Sequence, residues 1–195
     1  MAVRPVVKYP DPRLRQETRT VTKVTDDIRA LVEDLTETMF DENGAGIAAI
    51  QVGAPEKIFL IEGTVAGGEE NSPPMVFINP EVIWASDETE TKEEGCLSFP
   101  GIYVPIKRSV RARVRAMGMD GKIFEVEGEG LFARAMQHEG DHLNGRLMVD
   151  FVGPLKKQMI TRKMKKLIAE EAEEAGEEAE APPASGASKA RAKAR

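Results

Sequence analysis

In the first quarter of the chain, one stretch carries hydrophobic residues at helical spacing. Ile28, Leu31, Val32, Leu35 and Met39 recur every three or four positions, which predicts an amphipathic helix over roughly 26–40. Thr25 precedes Asp26 and Asp27, an N-cap followed by acids that suit the positive end of a helix, and Asn43-Gly44 ends it. Ahead of it, Pro10, Asp11 and Pro12 mark a turn in an extended opening segment. From Gly44 to about Asp87 the pattern changes to short β-prone runs, 58–61, 76–78 and 82–84, separated by Gly, Pro and Asn. The polar, Gly-rich stretch 63–74 reads as an exposed loop. Segments 104–106 and 110–117 read as strands, and Asp120-Gly121 is a hairpin turn signal leading into 123–126. No helix of crossover length separates these runs, so antiparallel pairing is expected. After Gly130 the helical period returns. Leu131, Ala135, His138 and His142 share one face of a second helix that stops near Asn144-Gly145. A third helix is expected from Pro154, carrying Leu155, Met159, Ile160, Met164, Leu167 and Ile168.

Beyond Ile168 the core pattern fails. Seven glutamates lie between Glu170 and Glu180, then Pro, Ser, Gly and Ala, then Lys189, Arg191, Lys193 and Arg195. Such a composition buries too little apolar area to offset chain entropy. A folded domain over 1–169 and a charged, disordered tail over 170–195 are therefore expected. The whole chain of 195 residues is long enough for one domain with a core, and 41% hydrophobic with 31% charged residues excludes collagen-like and wholly disordered classes. A net charge of −6 provides no overall basic field, so specific DNA binding is not expected. The basic end still allows contact with an acidic partner such as RNA, with transient ribosome association as one case. No apolar run approaches the roughly 18 residues of a membrane span. The first residues lack the apolar stretch of a secretory signal, and a single cysteine makes no internal disulfide. A cytoplasmic protein is expected.

The two histidines carry the strongest chemical signal. Gln137-His138-Glu139-Gly140-Asp141-His142 is an H-E-x-x-H on a predicted helix. Histidines four apart lie one above the other on a helix face, so both imidazoles reach one metal ion. Glu139, one residue past the first, is placed to hydrogen-bond a water at that ion and to shuttle its proton. Two histidines leave a catalytic metal site short of a third protein ligand, and the choices are a carboxylate or Cys96, in Glu94-Gly95-Cys96-Leu97-Ser98. A third segment, Gly44-Ala45-Gly46-Ile47-Ala48-Ala49-Ile50-Gln51, is rich in small residues that let another chain approach its backbone, as an added strand would. It lacks the Lys-Ser/Thr of a phosphate loop. Gln51 offers an amide N–H to an oxyanion.

GAGIAAIQ, EGCLS and QHEGDH, in this order, resemble the three motifs of bacterial-type peptide deformylases, and YPDPRL near the start looks like that family's opening. The similarity covers about residues 5–170. It implies an α+β fold in which antiparallel or mixed sheets wrap a central helix bearing H-E-x-x-H, followed by a C-terminal helix. It implies removal of the formyl group from the initiator methionine of nascent polypeptides, by attack of a metal-bound hydroxide on the formyl carbon. Carried over, Cys96, His138 and His142 bind the metal, and Glu139 is the general base and acid. The Gln51 side chain and the Leu97 backbone N–H hold the oxyanion, and the backbones of Ala45, Gly46 and Gly95 align the peptide. Glu94 pairs with Arg108 to brace the cysteine loop. The implied metal is ferrous iron, readily lost to oxidation, with Zn2+, Ni2+ or Co2+ as substitutes. Lys92 and Arg134 stand where relatives often carry aliphatic residues around the methionine pocket. Arg134 is expected to line that pocket with its stem and place its guanidinium at the rim, so that side-chain selectivity after the formyl group is relaxed or shifted towards polar neighbours. The alternatives are an H-E-x-x-H metallopeptidase with Asp150 or a tail glutamate as third ligand, and a non-catalytic metal-stabilised binding module.

Overall fold

The computed structural model describes residues 2–180, with side chains through 174. Helix α1 (Asp26–Asp41) starts where Thr25 Oγ1 accepts the Ile28 N–H, and it stops as Asn43 takes a left-handed conformation with φ of 53°. Seven strands follow: β1 (Gly46–Ala48), β2 (Ile58–Ile61), β3 (Met75–Ala85), β4 (Thr89–Glu94), β5 (Val104–Ser109), β6 (Arg111–Met117) and β7 (Ile123–Glu129). They form a five-stranded sheet in the order β1-β2-β3-β6-β7 and a two-stranded sheet β4-β5, antiparallel throughout. Helix α2 (Gly130–Leu143) follows β7 directly, and α3 (Pro154–Glu180) closes the described chain. The fold is α+β, with α2 packed against strands of both sheets.

Helix α2 owes its place to its apolar face. Phe132, Ala133 and Met136 pack on Phe59, Phe77 and Val114 from the sheet, and Phe59 stacks on Phe77 at 4.6 Å between ring centroids. A second cluster joins Tyr9, Leu14 and Phe99 to Ile106, Val149, Ile160 and Met164, so that α3 and β5 share one core with the opening segment. Helix α1 covers β1 and β2 through Leu35, Met39, Ile47 and Ile58.

Three elements differ from the sequence reading. The runs 76–78 and 82–84 are one strand, because Asn79-Pro80 forms an irregularity within β3 instead of ending it. Asn79 has φ of 50°, and its side chain makes both hydrogen bonds to the backbone of Val21, accepting at 2.8 Å and donating at 2.7 Å. Strand β4, Thr-Glu-Thr-Lys-Glu-Glu, lacks any apolar alternation because only Glu94 of the six is buried. Helix α3 does not stop at 169: it runs to Glu180, and Lys8 pairs with Glu171 at 2.6 Å. Residues 170–180 of the expected tail are therefore helical, and 181–195 lie outside the described residues. The basic end, Lys189 to Arg195, with the acidic partner expected for it, lies outside the described residues. Among the described residues, no helix is long and apolar enough to cross a membrane.

Candidate metal centre and active site

Four segments meet at one cleft of 440 Å³: the β1 edge with Gly44, Ala45 and Gly46; the 3-10 turn after it, carrying Gln51; the loop leaving β4, with Gly95, Cys96 and Leu97; and the α2 face bearing Ala135, His138 and Glu139. Cys96 Sγ and one ring nitrogen each from His138 and His142 lie within 4.8 Å of one another, with Sγ 3.3 Å from His142 Nε2. Sulfur and nitrogen ligands on one tetrahedral ion sit about 3.6 Å apart, so the spacing fits a metal. The donor set, one thiolate and two imidazoles, suits Zn2+ or Fe2+. Of the candidates for a third ligand, Cys96 is the one the structure brings beside the two histidines. Asp150, the rival ligand, is held by Arg15 at 2.8 Å and by Lys157 at 3.0 Å, and these cations keep its carboxyl well below the usual range.

Each functional side chain is oriented by neighbours. His138 Nδ1 lies 2.8 Å from Glu94 Oε2, which leaves Nε2 as the nitrogen that faces Cys96. Arg108 grips the same carboxylate through Nε and Nη2, both at 2.9 Å, and reaches Asp141 with Nη1. Burial alone would raise the Glu94 pKa, but hydrogen bonds from Arg108 and His138 bring it down to about 2. Burial also opposes charge on His138, yet contacts with Cys96 and Glu94 raise its pKa well above the ordinary value. His142 is pushed down by burial and by the neighbouring charges of His138 and Arg108.

Glu139 is 5% exposed, and burial pushes its pKa up to about 7, where a carboxyl both takes and returns a proton at neutral pH. Its Oε2 and the His142 Nδ1 are buried without a hydrogen-bond partner among the described residues. The Glu139 carboxylate packs so tightly on β1 that a Cβ at Gly46 would lie 2.7 Å from its Oε1. The Gln51 amide is held by both ends: the Ala48 N–H donates to Oε1 at 2.9 Å, and Nε2 donates to Ser98 Oγ at 3.1 Å while lying 3.5 Å from Cys96 Sγ. Its donor end therefore points at the cysteine.

The residues singled out in the sequence thus converge, and Glu94 pairs with Arg108 as expected. Two expectations fail. Lys92 does not line the cleft; its exposed ammonium pairs with Glu90. Arg134 lines the cleft, but its guanidinium is buried against Glu94 and backbone carbonyls instead of standing at the rim. The sequence reading missed the contact of Glu94 with His138, the Asp141–Arg108 pair, the support of Gln51 by Ser98, and Tyr103, whose ring covers Gly95. Only Asp141 had a local signal, three residues past His138 on the same helix.

Comparison with known proteins agrees with this geometry. A family model for polypeptide deformylase matches residues 3–158. A peptide deformylase of Saccharophagus degradans is 46% identical over 176 residues, which are 90% of this chain and all of that protein. Peptide deformylase 1 of Burkholderia multivorans is 47% identical, over 86% of this chain and 90% of its own. Among solved structures, a peptide deformylase from Legionella pneumophila aligns with a TM-score of 0.81 at 37% identity, covering 88% of this chain and 98% of that one. One from Ehrlichia chaffeensis, in complex with actinonin, aligns at 0.79 and 36% identity, over 85% and 98%.

Proposed function

The chain belongs to the polypeptide deformylase family, a class of enzymes, and on that premise we propose that it hydrolyses the N-terminal formamide of nascent formyl-methionyl polypeptides in the cytoplasm, releasing formate. The observation that carries this reading is the Cys96, His138 and His142 cluster with the Glu139 carboxylate beside it, in a cleft whose wall is an open strand edge.

Cys96 Sγ and the two imidazoles would hold one divalent ion, which we take to be Fe2+, with Zn2+, Ni2+ or Co2+ able to replace it. When bound, the ion acts as a Lewis acid that brings the pKa of a coordinated water towards about 7. The peptide lies along β1, with Ala45 and Gly46 on one side and Gly95 on the other, adding a strand to the sheet edge. Glycine at 46 leaves room for both the substrate backbone and the Glu139 carboxylate. Glu139 accepts the proton of the attacking water and delivers it to the leaving amine as the C–N bond breaks. Negative charge develops on the formyl oxygen, where Gln51 Nε2 and the Leu97 N–H donate to it. One such donor lowers the barrier by about 3 kcal/mol. Ala48 and Ser98 hold the Gln51 amide in place beforehand, so little reorganisation is needed during reaction.

The test is formate release from a formyl-Met peptide, using protein prepared without oxygen and with its metal quantified. Release by the parent, and its loss in Glu139→Gln with metal still bound, is the expected result. No release from fully loaded ferrous protein refutes the reading.

A further inference from the structure

Arg134 is a buried charged residue of α2 that the proposed reaction does not use, 8% exposed and one turn before His138. Its Nη1 donates to Glu94 Oε1 at 2.7 Å and to the Ile106 carbonyl at 3.0 Å, and its Nη2 donates to the Glu90 carbonyl at 3.0 Å. Glu90 and Glu94 belong to β4 and Ile106 to β5, so one guanidinium from the helix spans both strands of the hairpin. Cys96 leaves that hairpin two residues after Glu94. On the other side of His138, three residues on, Asp141 receives Arg108 from β5. The helix is thus pinned to the cysteine-bearing hairpin on both sides of His138, and both pins meet at Glu94. Glu94 accepts from Arg108 twice, from Arg134 once, and lies against His138 Nδ1.

We propose that Arg134 is a positioning residue for the metal centre: by clamping Glu94 and the β4–β5 hairpin onto α2, it keeps His138 and Cys96 at ligand spacing and slows loss of the bound ion. The inference rests on the metal-centre reading above. Arginine suits the task because a planar fork reaches a carboxylate and two carbonyls together, which a lysine ammonium cannot do with the same geometry. Removing partners of this kind, one step out from the ligands, typically weakens metal binding about 10- to 100-fold.

The experiment uses the full chain loaded with Co2+ or Zn2+ and follows ion loss to excess chelator. Arg134→Met keeps the stem along the cleft and removes the fork. It is expected to lose Co2+ about 10- to 100-fold faster than the parent, while Arg134→Lys recovers only part of the difference. In the Zn2+ form, the His138 Nδ1–H proton resonance is expected to move in Arg134→Met, since its acceptor has lost a partner. If Arg134 acts through Glu94, Arg134→Met combined with Glu94→Gln loses the ion no faster than the worse single variant. Should Arg134→Met not fold, Arg134→Lys carries the same comparison. Ion-loss rates within twofold of the parent and an unmoved His138 resonance overturn the proposal. In that case a lowered Tm alone assigns Arg134 to folding, and an altered ratio of formyl-Met to formyl-Leu cleavage assigns it to selectivity. A parent that binds no ion through Cys96, His138 and His142 overturns the metal-centre reading itself.

Discussion

Gly46→Ala separates what the fold tolerates from what the chemistry requires. The added Cβ would stand 2.7 Å from Glu139 Oε1 and 3.1 Å from its Cγ and Cδ. An unstrained carbon–oxygen contact needs about 3.3 Å, so the carboxylate must retreat by about 0.6 Å. For folding this is cheap. The atoms that move are the far end of a flexible side chain, and Glu139 Oε2 has no hydrogen bond to break among the described residues. Alanine also restricts the unfolded chain more than glycine does, so the net stability change is expected to stay under about 1 kcal/mol. For catalysis the same shift is expensive, because it displaces the general base. A misplacement of about 1 Å costs up to roughly 100-fold, so about 0.6 Å predicts a fall in kcat of about tenfold, near 1.4 kcal/mol of barrier. The assay is formate release under anaerobic conditions at matched metal content, with kcat and KM resolved and Tm measured alongside. A kcat within twofold of the parent refutes the reasoning. So does a loss lying wholly in KM, because the methyl group would then be obstructing the peptide instead of moving Glu139.

Three further outcomes follow from the same geometry. Gln51→Leu removes one oxyanion donor and is expected to lower kcat by about 10²- to 10³-fold with metal content unchanged, as formate release checks. The folded pKa of Glu94 lies near 2, below the ordinary value of 4.5, so its contribution to stability is complete above that value and is lost as pH falls towards 2. Acid titration of metal-free protein should show about 3 kcal/mol of this loss, and Glu94→Gln should flatten the profile. Cys96→Asp is expected to weaken metal binding severely in a chelator titration, because Asp150 stays committed to Arg15 and Lys157; retention of metal at parental affinity would favour the peptidase reading.

Much of this protein is determined locally, and that part was legible in the chain. The starts of α1 and α3 follow from Thr25 and Pro154, and the ends of α1 and α2 from Asn43-Gly44 and Asn144-Gly145, because caps and left-handed residues act within one turn. The pairing of His138 with His142 and the place of Glu139 follow from helix period alone. Where the signal was not local, the reading failed. Strand β4 is polar because five of its six residues are exposed, and its one partner strand is β5. Asn79-Pro80 looked like a break, but it stays within β3, where Val21, 58 residues earlier, partners both ends of the Asn79 amide and the Lys57 carbonyl accepts its backbone N–H. The composition beyond Ile168 suggested disorder, but α3 continues to Glu180.

The site divides in the same way. The residues proposed to carry the chemistry lie in three short segments of the sequence. How they are held was decided by the tertiary structure, since Glu94 meets His138 and Arg134 across 44 and 40 positions of chain. Arg134 shows the difference most directly. Its spacing from His138 places it on the face of α2 that lines the cleft, but a guanidinium goes where desolvation is best compensated. Three acceptors on the folded hairpin outweigh one exposed rim. No pattern along the sequence encodes that competition, because its partners come together only when the chain has folded.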